Sequence, residues 1–210
     1  MTGREAGAVR GFVLGVVLAG LGLVAVMAWS RPAIAQRMFP AAIAPSVWWD
    51  DLIDDEPVLW RPGGQDRFNS RIRLSISGIV RNKVLIRIDE KANGDGIGRI
   101  AVVRRAGRWP RSNDLVADID RTFRVPASRM ALLRERIAAA KLWTTGPEEH
   151  WVVKDDICLD GEQLVFERRD ASGYRFSEAN AQCTAPPAVL DVARTIIELS
   201  GERYPLGLLR

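Results

Sequence analysis

Arg71-Ile72-Arg73-Leu74-Ser75-Ile76-Ser77 places an apolar residue at every second position. A period of two marks a strand that turns one face to a core. The pattern returns downstream: Val84, Ile86 and Ile88 alternate with Lys83, Arg87 and Asp89, and residues 97–105 make a third run. Asn93-Gly94-Asp95-Gly96 lies between the second and third runs as a turn, and Gly78 after the first reads as a bulge or bend. The polar positions of these strands collect Arg71, Arg73, Arg87, Arg99 and Arg105 on one sheet face. That face is expected to be solvated, as in a one-sided antiparallel sheet. The alternative is a site for an anionic ligand such as a lipid headgroup or an acidic glycan. The turn itself is no calcium loop, because an EF-hand needs a Glu at its twelfth position and Arg104 stands there.

Toward the C-terminus a fourth extended run covers residues 115–125. Met130, Leu133, Ile137 and Ala140 then recur at helical spacing, with Ser128 as N-cap or Pro126 at the first helical position. Trp143 closes that apolar stripe as a core anchor, and Gly146-Pro147 stops the helix. A strand over residues 163–168, a turn at Asp170 to Gly173 and a strand from Tyr174 follow. Thr184 with Pro186-Pro187 opens a last helix whose face is Val189, Val192, Ala193, Ile196 and Ile197, capped by Gly201. The order β-β-β-β-α-β-β-α predicts an α+β fold: an antiparallel sheet with two helices on one face, preceded by an N-terminal hydrophobic helix.

That N-terminal helix is expected from residues 11–29, GFVLGVVLAGLGLVAVMAW, which carry neither charge nor proline. Nineteen helical residues span about 28 Å, close to the bilayer's hydrocarbon thickness. Trp29 ends the run where an indole suits the interface. Ala33-Ile34-Ala35 would let a signal peptidase cut before Gln36, while the length of the run favours a retained anchor. Gly11 and Gly15 form a GxxxG that can pair helices, although glycine is also common in such segments. The chain thus divides into a leader or anchor over 1–35, a Pro/Trp/acid-rich linker over 36–66 and an α+β domain over 67–210. Within the linker, Trp48, Trp49 and Trp60 are interleaved with Asp50, Asp51, Asp54, Asp55 and Glu56. These tryptophans either pack on the chain's own domain or the membrane surface, or dock a protein partner.

The 210 residues carry a net charge of +4. Arg4, Arg10 and Arg31 against Glu5 give the first 35 residues +2, which leaves +2 for the rest. So balanced a domain, with no nucleic-acid-binding module, points away from nucleic acid. Cys158 and Cys183 are the only cysteines. In an oxidising compartment they are expected to pair, closing a loop of 25 residues.

Catalytic signatures are sparse. The single histidine, His150, stands near Glu149, Asp155 and Asp156 in a poor zinc pattern. No G-x-S-x-G elbow, P-loop or G-x-G-x-x-G occurs, so neither a metal nor a cofactor is expected. Asp160 and Glu167 form the one candidate acid/base pair, against the plainer reading of a turn residue and a strand residue facing Arg168 or Arg175.

Leu142-Trp143 at a helix end, Asp160-Gly161, Glu167, Gly173-Tyr174-Arg175 and a closing apolar helix together resemble a family of small exported bacterial proteins of unassigned function. The resemblance covers Arg124 to Ser200. The chain departs from it at Leu164 and Phe166, where a tryptophan is common, and at Glu178-Ala179-Asn180, where W-S-P is common. The resemblance implies a fold and an export route but no activity. The expectation is a membrane-anchored or exported envelope protein in a non-enzymatic binding or structural role, its C-terminal domain outside the cytoplasmic membrane. A small envelope hydrolase using Asp160 and Glu167 is the alternative.

Overall fold

The computed structural model describes residues 56–60, 67–78, 83–105, 115–143, 161–183 and 185–203. The apolar run 11–29, Trp48 and Trp49, the Ala33–Gln36 segment, His150, Cys158 and Asp160 lie outside them. Among the described residues no helix is long and apolar enough to cross a membrane.

The fold is α+β. Its strands are β1 (Ser70–Ser77), β2 (Lys83–Glu90), β3 (Gly96–Arg105), β4 (Leu115–Val125), β5 (Gln163–Asp170) and β6 (Gly173–Asn180). They form one six-stranded sheet in the order β4-β3-β2-β1-β5-β6, antiparallel throughout. The first four strands make a meander. Helix α1 (Ala127–Ala139) follows the far edge, and β5 then returns to pair with β1. Helix α2 (Pro187–Leu199) follows β6.

The period of two in β1 is realised. Ile72, Leu74 and Ile76 align with Ile88, Ile86 and Val84 on β2, and Leu74 and Ile76 with Phe166 and Leu164 on β5. These residues share one buried cluster with Met130, Leu133 and Ile137 of α1, Val189, Val192 and Ile196 of α2, and Trp143. Gly98 opens this layer to Phe123 on the neighbouring strand, because a Cβ at Gly98 would fall inside the Phe123 ring. β1 ends at Ser77, with Gly78 just outside it.

Neither helix is capped at its start by its own side chains. Pro126 occupies the N-cap of α1, in place of the expected Ser128 cap or of Pro126 at the first helical position. The Ala127 N–H instead donates to Asp95 Oδ1 at 3.0 Å, from the β2–β3 turn. The turn sequence read above therefore has a second role, holding a helix N-terminus with a carboxylate. Asn93 supports it by accepting from the Asp95 N–H (3.1 Å), and Gly94 takes the positive φ of 86° that the turn requires. At the other end of the fold, Ser200 is the C-cap of α2, and Gly201 stands just beyond it at φ 76°. Arg121 of β4 donates to the Ser200 carbonyl at 2.6 Å. The sheet holds one end of each helix.

Candidate functional site

The second sheet face carries the Arg71, Arg73, Arg87 and Arg99 side chains, as their alternation requires; that of Arg105 lies outside the description. The face is not solvated. Leu85, Ala101, Val103 and Val165 also belong to it and are buried outside the helix-side cluster. Both faces of the sheet are thus covered, which corrects the one-sided reading. The physical reason is visible in the strands: β2 and β3 place apolar residues on both faces at one end, so that part of the sheet also has to leave water.

Glu56 to Trp60 lie on this face, and the domain therefore begins before residue 67. Leu59 is 0% exposed. The Pro57 carbonyl accepts from Arg73 Nη1 at 2.9 Å. Trp60 is half-buried and its indole nitrogen is enclosed, which favours packing on the chain's own domain over display to a partner.

The centre of the face is an ion network around Arg73 and Glu167, both 0% exposed. Arg73 Nε donates to Glu167 Oε2 at 2.6 Å, and Tyr174 donates its hydroxyl to Glu167 Oε1 at 2.9 Å. The Glu56 carboxylate, also fully enclosed, faces three guanidiniums: Arg87 Nη1 at 2.7 Å, Arg99 Nη1 at 3.5 Å and Arg73 Nη1 at 3.6 Å. Arg87 Nε also reaches Asp89 at 3.2 Å, and Asp89 pairs with Arg71. Arg99 grips Asp120 with two bonds, at 2.9 and 2.8 Å. Among the described residues, four arginines thus meet the carboxylates of Glu56, Asp89, Asp120 and Glu167.

The electrostatics follow from burial and pairing. Burial works against the charge on Arg73, but the Glu167 carboxylate, reinforced by Glu56, outweighs it and holds the guanidinium above its ordinary value. Burial, then the adjacent Glu167 charge, push the Tyr174 phenol far above its ordinary range. The Arg99 hydrogen bond holds Asp120 below the usual carboxylate range. Arg73 and Tyr174 thus both hold their protons more firmly than in water.

Glu167 faces neither Arg168 nor Arg175. Successive strand residues point to opposite faces, and Glu167 lies opposite Phe176 on β6 and Arg73 on β1. Arg168 and Arg175 sit opposite each other on the helix side, where both turn to Trp143. Arg168 lies over its ring at 5.4 Å, and Arg175 Nη1 donates to its carbonyl at 3.2 Å. Trp143 is buried, as its place at the end of the α1 stripe requires. Gly161 precedes β5, and the Asn180 side chain fills the space its Cβ would need. The enclosed Glu167 offers no atom to solvent for joint work with Asp160.

Cys183 is exposed and disulfide-bonded. No group of histidine, cysteine and carboxylate side chains suited to a metal ion occurs among the described residues. Sequence reasoning found the arginine face but missed Glu56 as its counter-ion. The available signal was the pairing of an acid-rich segment with an arginine-rich face within one chain. Comparison with protein-family models, curated proteins and solved structures finds no match.

Proposed function

We propose that this is an envelope protein, anchored by residues 11–29 or released by cleavage before Gln36, whose α+β domain works outside the cytoplasmic membrane by binding or as structure. The observation that carries the non-enzymatic part is the Glu56 carboxylate buried among Arg73, Arg87 and Arg99. Arg71, Arg73, Arg87 and Arg99 of this face each meet a carboxylate. A hydrolase needs an acid and a base that reach substrate. Glu167, one half of the only candidate pair, is instead fixed between Arg73 and Tyr174.

Export is supported by the apolar run and by the resemblance to small exported proteins. The disulfide at Cys183 adds to this, with Cys158 as its proposed partner and the only other cysteine in the chain. Partner binding falls to Trp48 and Trp49, since Trp60 is half-buried beside the enclosed Leu59. A photo-crosslinking residue placed at Trp48 or Trp49 in intact cells tests the reading. A discrete adduct with one envelope protein is expected. Absence of any adduct, or adducts with cytoplasmic proteins, refutes it.

A further inference from the structure

We propose that the outer edge of β4 pairs antiparallel with β4 of a second copy of this chain, in one register centred on Thr122. The pairing goes beyond the envelope reading above and does not depend on where the domain resides.

β4 ends the sheet, so one side of its backbone lies beyond the last ladder. The β2–β3 turn decides which residues those are. There the Lys91 N–H donates to the Asp95 carbonyl at 2.8 Å. From this closing bond the antiparallel alternation runs up the hairpin: odd residues of β3 bond to β2, and even residues bond to β4. Gly96, Gly98, Ile100 and Val102 therefore bond to Val125, Phe123, Arg121 and Ile119. Asp120, Thr122 and Arg124 turn their backbone N–H and carbonyl groups away from the sheet, and all three residues are exposed. The register irregularity lies outside this stretch, between Val102 and Val103.

Such an edge is a template for another strand unless its side chains forbid the match. Here they select one match. A two-fold axis normal to the sheet sets one residue opposite its own copy and pairs the residues before it with those after it. Centring on Asp120, Arg121 or Arg124 sets like charges face to face, and centring on Ile119 sets Asp118 against Asp120. Centring on Phe123 sets Asp120 opposite Pro126, which has no N–H to give. Centring on Thr122 sets Asp120 opposite Arg124 of the second copy, and symmetry repeats that pair. On the helix side the same register sets Ile119 opposite Val125 and Arg121 opposite Phe123.

The residues suit these places. Asp120 keeps a side-chain exposure of 49% while held by Arg99, so its carboxylate has room for a second guanidinium. Ile119 and Phe123 are partly buried against the core, so the second copy would extend an apolar layer already present. Arg121 becomes the diagonal neighbour of its own copy, and Glu202 already stands beside it at 2.7 Å to offset that charge. The pairing would add about six backbone bonds and join two sheets into one.

The test uses the full chain in detergent micelles, with single cysteines introduced on the edge and oxidised by copper-phenanthroline. In the proposed register two copies of residue 122 lie about 5.5 Å apart between Cα atoms, within disulfide reach. Two copies of residue 120, or of residue 124, lie about 13 Å apart along the strand. Thr122→Cys should therefore give a covalent dimer on a non-reducing gel. Asp120→Cys and Arg124→Cys should each give none alone, but a dimer when mixed. In the Thr122→Cys chain, Arg124→Glu turns both attractive pairs repulsive and should cut subsaturating dimer yield about ten-fold. Arg124→Ala should cut it about three-fold.

No dimer from Thr122→Cys overturns the proposal. Equal yields from all three single cysteines overturn it too, since the chains then meet through another part, such as residues 11–29. A yield unchanged by both Arg124 variants removes the charge pair that selects the register, and the proposal with it.

Discussion

Glu56→Ala is the substitution that most directly separates a linker from a structural part of the domain. If residues 56–60 were a passive connector, the change would lie within about 0.5 kcal/mol of zero, as exposed substitutions do. The structure argues for much more. The carboxylate is fully enclosed, and its removal takes one of the carboxylates that Arg73, 0% exposed, meets, while Glu167 stays. Breaking one side of a buried ion pair costs about 3–5 kcal/mol. Arg87 and Arg99 moderate this, because they are 17% and 14% exposed and keep Asp89 and Asp120. The lower end, about 3 kcal/mol, is therefore expected. For a chain of this size that corresponds to a fall of about 6–12 °C in melting temperature. Leu59→Ala removes a fully buried leucine and should cost about 2–5 kcal/mol on its own. The two residues hold the same short segment, so their effects should not add. Once either is lost and the segment lifts, the other has little left to contribute, and the double variant should fall short of the sum by more than 1 kcal/mol. Urea unfolding of the wild type, both single variants and the double variant closes this cycle. A Glu56→Ala change below about 1 kcal/mol, or strict additivity, refutes the reasoning.

Asp95→Ala removes the carboxylate that holds the α1 N-terminus and should cost about 1 kcal/mol, read as a shift in urea midpoint without a change in slope. Tyr174→Phe should cost about 1 kcal/mol near pH 8, through its hydrogen bond to Glu167. The tyrosine releases its proton near pH 10.0 when unfolded and only well above that when folded. Above pH 10 the folded wild type holds the extra proton, so wild-type stability falls as pH rises and the gap to Tyr174→Phe narrows. A gap that widens between pH 9 and pH 11 in urea titrations contradicts the buried placement of the phenol.

Much of the architecture was legible because the helix-side core obeys simple periods. Ile72, Leu74 and Ile76 announce β1, and Met130, Leu133 and Ile137 announce the inner face of α1. The order of elements follows from these runs and the turns between them. The second face was harder for a physical reason. Arginine at alternate positions looks the same in sequence whether it meets water or a carboxylate supplied from elsewhere. Only the long-range partner decides, and Glu56 is 17 residues from Arg73 and 43 from Arg99. The start of α1 was misread in the same way. Ser128 is a sound local N-cap candidate, yet the cap comes from Asp95, which is 32 residues distant from Ala127.

The β5–β6 hairpin joins these two sides. Within it, neighbours in sequence serve opposite faces: Glu167 and Tyr174 hold Arg73, while Arg168 and Arg175 hold Trp143. The motif Gly173-Tyr174-Arg175 therefore has a physical reading of its own. Gly173 supplies the positive φ of 110° that the turn needs, Tyr174 secures the ion network and Arg175 secures the end of the α1 segment. A shift of this hairpin along β1 by one residue would bring Glu167 to the helix-side core and Arg168 under Arg73, burying an unpaired charge on each face. The ion network thus fixes the register of the strand pair that connects both halves of the sheet. The same slip would take Leu164 and Phe166 out of the helix-side core, so both faces of β5 select the native alignment together.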